Sequence, residues 1–287
     1  MIRKSSIQLL RFPFSWFLMP VFWFAISFVE NIDWINAVIS FLILHLLVYP
    51  SSNGYNSYMD QDTSSIGGIK HPPLPDKELF LITIVMDAIA LLLSLFISLY
   101  FTCLLLVYIV CSRLYSYRRI RLKKYPIIGY LTVILNQGGV VFLMIYTSTN
   151  HEGVQSIPLI GIITACLLIG GFYPITQIYQ HDSDKNDQVT TISMLLGKRG
   201  TFIFCGILYI IAFGLLFLYF KEQQQLFLFI VLQIFFLPVA VYFLNWAVKV
   251  WNDPKKADYE HTMKMNWIAS TCTSMAFITL LLIQYFD

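Results

Sequence analysis

The sequence predicts an all-α integral membrane protein, a single polytopic domain over residues 1–287 with about nine transmembrane helices. Two observations support this fold class. Hydrophobic residues make up 57% of the chain and charged residues only 12%, whereas roughly 25% of a soluble domain is charged. The apolar residues also fall into runs of about 20 residues, the length that crosses a bilayer as a helix. The longest gap between these runs, near residues 54–78, is too short for a separate soluble domain.

Nine apolar runs have roughly the length of a spanning helix. They lie at residues 12–29, 34–53, 79–97, 99–116, 126–147, 157–178, 201–220, 225–248 and 265–285. Because residues 79–111 show no clear turn, we place a break near residues 98–101, which divides the run into two short spans. The first run follows a basic start like a signal peptide. However, it contains Pro13, Trp16 and Pro20 and lacks a small-residue cleavage site, so we interpret it as a retained span.

The basic residues predict the orientation of these spans. With nine spans, 18 of the 19 Lys and Arg residues fall on one side of the membrane, and Lys221 alone falls on the other. An excess of Lys and Arg is typical of cytoplasmic loops. We therefore expect a cytoplasmic N-terminus and a C-terminus outside. The net charge of +3 follows from the same bias and does not indicate nucleic-acid binding.

Two spans become polar where they reach the cytoplasmic side. If the second span continues as a helix to residue 60, five side chains fall within an arc of about 80°: His45, Tyr49, Asn53, Asn56 and Asp60. If the sixth span continues to residue 187, a similar arc contains Tyr173, Gln177, Gln180, Asp184 and Asp187. Two oxygen-rich helix faces are thus predicted at the same membrane level.

These faces predict a Mg²⁺ site. Mg²⁺ prefers oxygen ligands and is usually held by one or two carboxylates together with substrate phosphates. The candidate ligands are Asn56, Asp60, Asp62, Gln180, Asp184 and Asp187. The alternative is a pair of solvated helix ends. The matched spacing and the polar residues inside the hydrocarbon region favour a cavity, because buried polar groups in membranes are costly and usually line one.

At these stretches the chain resembles the UbiA superfamily of intramembrane prenyltransferases. In "NSYMDQD", Asn56 and Asp60 match two anchors of the family's first motif, Asn-Asp-x-x-Asp-x-x-x-Asp, and "KHPPLP" is similar to its tail. "TISMLLGKRG" is similar to the ending of the second motif, Asp-x-x-x-Asp, which aligns Gln180 and Asp184 with that motif. "LRFPFSW" and "YSYRRIRLKKYPIIG" are similar to further family segments, so the resemblance covers essentially the whole chain.

The chain departs from the family pattern at three acidic positions. Ser57 and Ser64 replace the first and last acids of the first motif, and Gln180 replaces the leading acid of the second. Asp62 and Asp187 lie close enough in sequence to compensate. The set of metal-binding carboxylates is therefore thinner than the resemblance would imply.

The resemblance implies a helix bundle around a central cavity that opens near the cytoplasmic face of a bacterial inner membrane. It also implies transfer of an isoprenyl group from a prenyl diphosphate to an aromatic or lipid-soluble acceptor, with Mg²⁺ assisting diphosphate departure. The catalytic residues it implies are Asn56, Asp60 and Asp184. Basic residues should hold the diphosphate, and the basic loop after the fourth span supplies the candidates Arg118, Arg119, Arg121, Lys123 and Lys124; topology and anionic lipid are the alternative explanation for this loop. Lys124 and Lys70 are favoured because each lies where the family has a cation, with Arg121 next.

The remaining substrate-binding candidates are polar side chains near the mouth and within the spans. They are Asn53, Tyr115, Asn136, Gln137, Tyr173 and Gln177; hydrogen bonding between helices is the alternative role of Asn136 and Gln137. Asp87, deep in the third span, should face the bundle interior in a role the sequence does not assign. Two other functions stay open: a non-catalytic relative that binds prenyl lipid or a partner, and a transporter or unrelated polytopic protein.

Overall fold

The structure, a computed structural model, describes residues 3–151 and 156–286. Within these ranges nine long helices form one bundle. We label them α1 (Lys4–Ile26), α2 (Trp34–Asp60), α3 (Lys77–Ser94), α4 (Leu99–Ser116), α5 (Pro126–Thr149), α6 (Leu159–Gln177), α7 (Ile192–Glu222), α8 (Leu226–Asn252) and α9 (Tyr259–Phe286). A short helix, His181–Asn186, lies between α6 and α7.

Eight of the nine helices in the described part of the chain are long and apolar enough to cross a membrane. The protein is therefore an integral, multi-pass membrane protein, as the composition predicts. The remaining helix, α3, contains Lys77, Glu78 and Asp87 within its 18 residues. It runs antiparallel to α2, because Ser51 contacts Thr83 while Tyr58 packs against Phe80. Whether α3 crosses the membrane stays a prediction.

The break between the third and fourth spans lies where the sequence analysis places it. α3 ends at Ser94 and α4 begins at Leu99. The hydroxyl of Ser98 accepts a hydrogen bond from the backbone N–H of Phe101 at 3.0 Å. This satisfies one of the free N–H groups at the start of α4, which is the ordinary role of an N-terminal capping residue.

Large apolar side chains cover the outside of the bundle, and aromatic rings fill its centre. Phe96 is 81% exposed and Ile210 is 74% exposed, as expected of side chains that face lipid. Inside, the ring of Phe24 lies 4.7 Å from that of Phe277 and 5.4 Å from that of Phe142, joining α1, α9 and α5. A bundle built this way is apolar on both its surface and its core, so its polar interior residues stand out.

Two helices contain wide, π-helical turns. They lie at Ile43–Val48 in α2 and at Ile134–Val140 in α5. Such turns are rare and frequently occur at functional sites. In α5 the turn includes Gly138, where an added Cβ would lie 2.8 Å from the Cα of Cys166. The absence of a side chain therefore lets α5 approach α6 closely.

One expectation about helix length is confirmed and one is wrong. α2 continues to Asp60 and ends there, because Gln61 has a left-handed conformation with φ 55°. α6, in contrast, does not continue to residue 187: it ends at Gln177, and a turn precedes the short helix. Gln180 has φ −95° and ψ 1°, outside the helical range. The second polar segment is therefore a helix end, a turn and a separate short helix.

Candidate active site

The polar end of α2 presents Asn56 and Asp60 one turn apart. The side-chain amide of Asn56 donates to the Asp60 carboxylate and to the hydroxyl of Ser116, both at 2.9 Å. Asp60 is only 8% exposed. The amide thus fixes the acid against α4 at the end of a rigid helix, as the spacing of the two residues in the sequence indicates.

Two basic side chains bind Asp60. Arg121 donates to its Oδ1 at 3.3 Å, and Lys123 donates to its Oδ2. Both come from the turn before α5, where Arg121 has a left-handed conformation with φ 49° and Leu122–Lys124 forms a 3₁₀ turn. Arg121 also forms an ion pair with the carboxylate of Asp187. A single guanidinium therefore joins the two acidic segments.

The lysine that lines the cavity is Lys123, which is not one of the two that the resemblance favours. Lys124 is exposed, because the turn directs Lys123 inward instead. Lys70 lies at the surface, where it forms an ion pair with Glu260 at 2.9 Å. Neither Lys70 nor Lys124 lines the cavity described below. The sequence placed Lys123 in the candidate basic loop but gave no reason to prefer it to its neighbour.

Arg11 also lines this cavity, although it is not among the residues predicted from the sequence. It lies in α1 with a left-handed conformation, is 8% exposed, and donates to the backbone carbonyls of Asn53 at 3.1 Å and Gly67 at 3.4 Å. The segment "LRFPFSW", which carries part of the family resemblance, contains this arginine. That segment was the available signal.

The second acidic segment is anchored to the start of α7. His181 Nε2 lies 2.8 Å from the hydroxyl of Ser193, which is completely buried. The short helix that begins at His181 carries Asp184 toward the cavity, while Asp182 is exposed on its other side. At the mouth, the hydroxyl of Ser64 donates to that of Ser183 at 2.9 Å, so the loop after α2 touches this short helix directly.

These elements enclose a polar cavity of about 220 Å³. Most predicted site residues line it: Asn53, Asn56, Asp60, Asp62, Tyr115, Asn136, Gln137, Tyr173, Gln177, Gln180, Asp184 and Asp187. Arg11 and Lys123 line it as well. The two polar helix ends therefore meet at one cavity, even though α6 ends earlier than expected.

Deeper in the cavity, tyrosines and amides form a hydrogen-bonded wall. The hydroxyls of Tyr115 and Tyr173 share a hydrogen bond, and Gln177 donates to Tyr173 at 2.8 Å. The side chain of Asn136, in the wide turn of α5, donates to the backbone carbonyl of Tyr108 at 3.1 Å. At least part of the role of Asn136 is therefore interhelical hydrogen bonding.

Burial and crowding make two carboxylates at the mouth hard to ionise. Burial raises the pKa of Asp184 to about 7; Lys123 opposes this shift, and the carboxylates of Asp62 and Asp60 add to it. Burial and the neighbouring Asp60 also raise the pKa of Asp62. In the described part of the chain, neither Asp62 nor Asp184 has a cationic side chain within ion-pair distance.

The arrangement lacks a preformed all-protein metal cage. In the ranges 3–151 and 156–286, no three His, Cys, Asp or Glu side chains are grouped so that they could hold an ion by themselves. What the site offers is two unpaired carboxylates beside two that are already paired with Arg121 and Lys123.

A second cavity, of about 570 Å³, adjoins the polar one. It lies between α1, α6, α7, α8 and α9 and is almost entirely apolar. The two cavities share three wall residues, Phe17, Ile169 and Phe172. Toward the outside the apolar cavity is bordered by the exposed side chains of Ile210 and Leu237, so it opens sideways to lipid.

Comparison with solved structures shows that this architecture occurs in other proteins. A UbiA homolog from Archaeoglobus fulgidus bound to DMAPP and Mg²⁺ has a TM-score of 0.71 at 17% identity, covering 98% of this chain and 100% of that one. An apo UbiA homolog from Aeropyrum pernix K1 gives 0.70 at 15% identity, covering 95% and 98%. A digeranylgeranylglyceryl phosphate synthase structure gives 0.62 at 20% identity, covering 96% and 97%.

At these identities the structural likeness establishes the fold alone. No protein of curated function matches the chain in sequence. The sequence model of the UbiA prenyltransferase family, however, matches residues 16–269, which is most of the chain and contains both acidic segments and the basic turn. This chain belongs to the UbiA prenyltransferase family.

Proposed function

We propose that this protein is an intramembrane prenyltransferase, which transfers an isoprenyl group from a prenyl diphosphate to an aromatic or lipid-soluble acceptor. The observation that carries the proposal is the junction of two cavities. A polar cavity with acids and cations at its mouth meets an apolar cavity of about 570 Å³ at Phe17, Ile169 and Phe172. A prenyl diphosphate has a charged head and an apolar tail, and this junction offers a matching environment to each.

The donor set at the mouth fits Mg²⁺. Asp62 and Asp184 are carboxylates without a cationic partner in the described part of the chain. Burial raises the pKa of both, and neighbouring carboxylates add to the shift, so a bound cation would stabilise their ionised forms. Because Mg²⁺ is usually held by one or two carboxylates plus substrate phosphates, a cage of protein ligands is not required. Asp60 and Asp187, with the amides of Asn56 and Gln180, are the additional candidates. When bound, the ion would supply positive charge beside the leaving diphosphate.

The chain's own cations bind the rest of the diphosphate. Lys123 and Arg11 both line the cavity, one from the turn before α5 and one from α1. As the allylic C–O bond breaks, its electron pair leaves with the diphosphate, so charge grows on the oxygens that these side chains contact. Stabilising charge that develops in the transition state is usually the largest single contribution to catalysis.

The aromatic wall of the cavity supports the other half of the reaction. The rings of Tyr115, Tyr173 and Phe172 line the cavity below the acids. A carbocation-like prenyl group against such rings gains up to about 2 kcal/mol from cation–π attraction when water is excluded. Asn136 and Gln137 line the same region from α5 and would orient the acceptor. The prenyl chain would continue into the apolar cavity and toward lipid.

The missing acids of the family pattern favour a second candidate, a non-catalytic protein that binds prenyl lipid. Ser57 does not line the cavity, so this position adds no ligand. Ser64 forms a hydrogen bond with Ser183 and, unlike the acid of the family pattern, gives the site no negative charge. In the second segment, Gln180 offers only a neutral amide. A site with so few carboxylates could bind a diphosphate without driving its departure.

One experiment separates the two candidates. Purified protein is incubated with labelled prenyl diphosphates of several lengths, with and without Mg²⁺, and release of diphosphate is measured in the presence of aromatic and lipid-soluble acceptors. Mg²⁺-dependent release supports the transferase. Binding of prenyl diphosphate without release, with every acceptor tried, would favour the non-catalytic candidate.

We further propose that the polar cavity opens to the cytoplasm of a bacterial cell whose inner membrane contains the protein. The basic residues carry this part of the proposal, because Arg118, Lys123 and Lys198 share the side of the bundle on which the cavity has its mouth. Cytoplasmic loops are the ones enriched in Lys and Arg.

A further inference from the structure

A partly buried ion pair lies behind the wall of the polar cavity. Asp87, ten residues into α3, accepts from Arg113 Nε at 3.0 Å and also from its Nη2. The side chains of Arg113 and Asp87 are 20% and 14% exposed. Charged groups within membrane spans are costly and rare. Replacing a buried pair with apolar side chains of similar volume is often neutral or stabilising, so stability alone does not explain this pair.

The guanidinium of Arg113 holds three helices at one point. Besides Asp87, it donates to the hydroxyl of Ser51 on α2 at 3.1 Å, and to the hydroxyl and backbone carbonyl of Thr83 on α3, each at 3.1 Å. Its Cζ atom also lies 4.1 Å from the ring centre of Tyr55 on α2. Arg113 itself belongs to α4. A planar group with five donors suits such a junction, and a lysine could not reproduce it.

These contacts fix one face of α2 against Arg113. The catalytic candidates lie on the neighbouring face of the same helix. Ser51 and Tyr55 are one turn apart and face Arg113. Ser52 and Asn56, each one residue further along, hydrogen-bond to α4 through Ser112 at 2.5 Å and Ser116 at 2.9 Å. Because neighbouring residues on a helix differ by about 100° in direction, holding one face fixes the rotation of the other.

Only a thin layer separates the ion pair from the cavity. Ser52, Tyr108 and Ser112 line the polar cavity on one side and border Asp87 and Arg113 on the other. A change at the ion pair can therefore reach the cavity wall through a single layer of side chains.

We propose that Arg113 and Asp87 are positioning residues, which set the rotation of α2 against α4 so that Asn56 and Asp60 face the cavity. The inference rests on the proposed function insofar as this cavity binds Mg²⁺ and diphosphate. The geometric part, the register between α2 and α4, is independent of any ligand and can be tested separately.

The geometric test uses cross-linking between α2 and α4. Ser52→Cys and Ser112→Cys are introduced together in a Cys111→Ala background, and the rate of disulfide formation between positions 52 and 112 under a fixed oxidant is measured. The oxygens of the two serines are 2.5 Å apart, so the reference protein should cross-link readily. Adding Arg113→Met with Asp87→Leu, an apolar pair, should slow cross-linking by about tenfold or more, because α2 becomes free to rotate.

The functional test uses the same apolar pair in the otherwise unchanged protein. Affinity for inorganic diphosphate with Mg²⁺ should fall about tenfold or more, while the thermal midpoint without ligand stays near that of the wild type. A merely structural pair would instead change the midpoint and the affinity together or leave both unchanged. Arg3→Met is the matched control. It breaks another Arg–Asp pair, the contact at 2.6 Å between the exposed Arg3 and Asp76, the residue that caps the start of α3, and should alter neither readout.

An unchanged cross-linking rate in the Arg113→Met, Asp87→Leu protein would overturn the inference. If that protein fails to fold, Arg113→Lys is used instead. This substitution keeps the positive charge but removes the planar guanidinium with its five donors, and it too should slow cross-linking. A wild-type protein that does not bind Mg²⁺ and diphosphate would contradict the proposed function, and the cross-linking comparison would still decide the positioning role.

Discussion

Lys123 donates a hydrogen bond to the carboxylate of Asp60, although the two residues are 63 positions apart in the chain. Their side chains are 12% and 3% exposed, so water screens the contact weakly. The contact joins the end of α2 to the turn before α5. Under the proposed function, Lys123 would contact the diphosphate and Asp60 the metal ion.

Replacing either cavity acid should abolish most activity. Asp60→Asn or Asp184→Asn keeps the side-chain shape but removes one negative charge from a site with few carboxylates, so turnover should fall on the order of a hundredfold or more. Asp182→Asn is the matched control, because Asp182 is on the same short helix as Asp184 but is exposed. Steady-state release of diphosphate measures all three. Equal effects at positions 182 and 184 would refute the assignment of Asp184.

The two adjacent lysines should behave differently. Lys123→Met removes a charged hydrogen-bond donor from the cavity and should raise the KM for prenyl diphosphate roughly tenfold or more. Lys124→Met should have little effect, since Lys124 is exposed and does not line the cavity. If Lys124→Met proved the more harmful change, the turn before α5 would have the opposite orientation in the working protein.

The pH dependence of stability should report on Asp184. Its pKa of about 7 in the folded protein lies above the ordinary value of 3.8. The folded state therefore binds a proton that the unfolded chain releases, and metal-free stability should fall as pH rises from about 4 to about 7, then level off. Mg²⁺ with diphosphate should raise the thermal midpoint more at pH 8 than at pH 6. Asp184→Asn should flatten the metal-free profile, and an unflattened profile would assign the titration to another group.

Filling the apolar cavity should shorten the preferred prenyl chain. Gly206 borders this cavity. A Cβ added at this position would have an atom of Phe243, 3.9 Å away, as its nearest neighbour. Gly206→Phe should therefore reduce activity with long prenyl diphosphates more than with short ones, as a competition assay can show. Gly214→Phe is the control, because Gly214 lies on the same helix with no atom near it and outside the cavity. A uniform loss across chain lengths would indicate general damage instead.

The N-terminus should be cytoplasmic and the C-terminus outside. This follows from the distribution of Lys and Arg together with a membrane-crossing α3, which is only 18 residues long and has three charged residues, whereas each of the other eight long helices described has an 18-residue stretch with two or fewer. Reporters fused to each end measure the orientation. Finding both ends on one side would mean that α3 does not cross the membrane.

The parts of the site that sequence could predict are those on continuous helices. Asn56 and Asp60 lie four residues apart on α2, and helix geometry alone places them side by side. The prediction that Asp184 shares one helix face with Tyr173 and Gln177 is wrong, because α6 ends at Gln177. Asp184 reaches the cavity through a turn and a short helix anchored by His181, and such turns have no periodicity to extrapolate.

The choice between neighbouring basic residues could not be made from sequence for a similar reason. Arg121 adopts a left-handed conformation, which reorients the residues that follow it, so no regular spacing indicates that Lys123 points inward. The sequence predicts that Asp87 faces the bundle interior, and a deep acid in a span usually pairs with a charge on a neighbouring helix. It does not identify Arg113 as that partner, because Arg113 lies close to the end of α4 and to the basic residues that follow it.

The wide turn at Ile43–Val48 gives α2 one place where the chain can change length without disturbing the site. This turn contains one residue more than a regular helix needs for the same rise. Removing one residue there would restore the regular winding and leave Asn56 and Asp60 directed into the cavity. Removing one residue from the regular stretch between Tyr49 and Asn56 would instead rotate everything beyond it by about 100°. A one-residue deletion should therefore be tolerated far better inside the wide turn than beyond it.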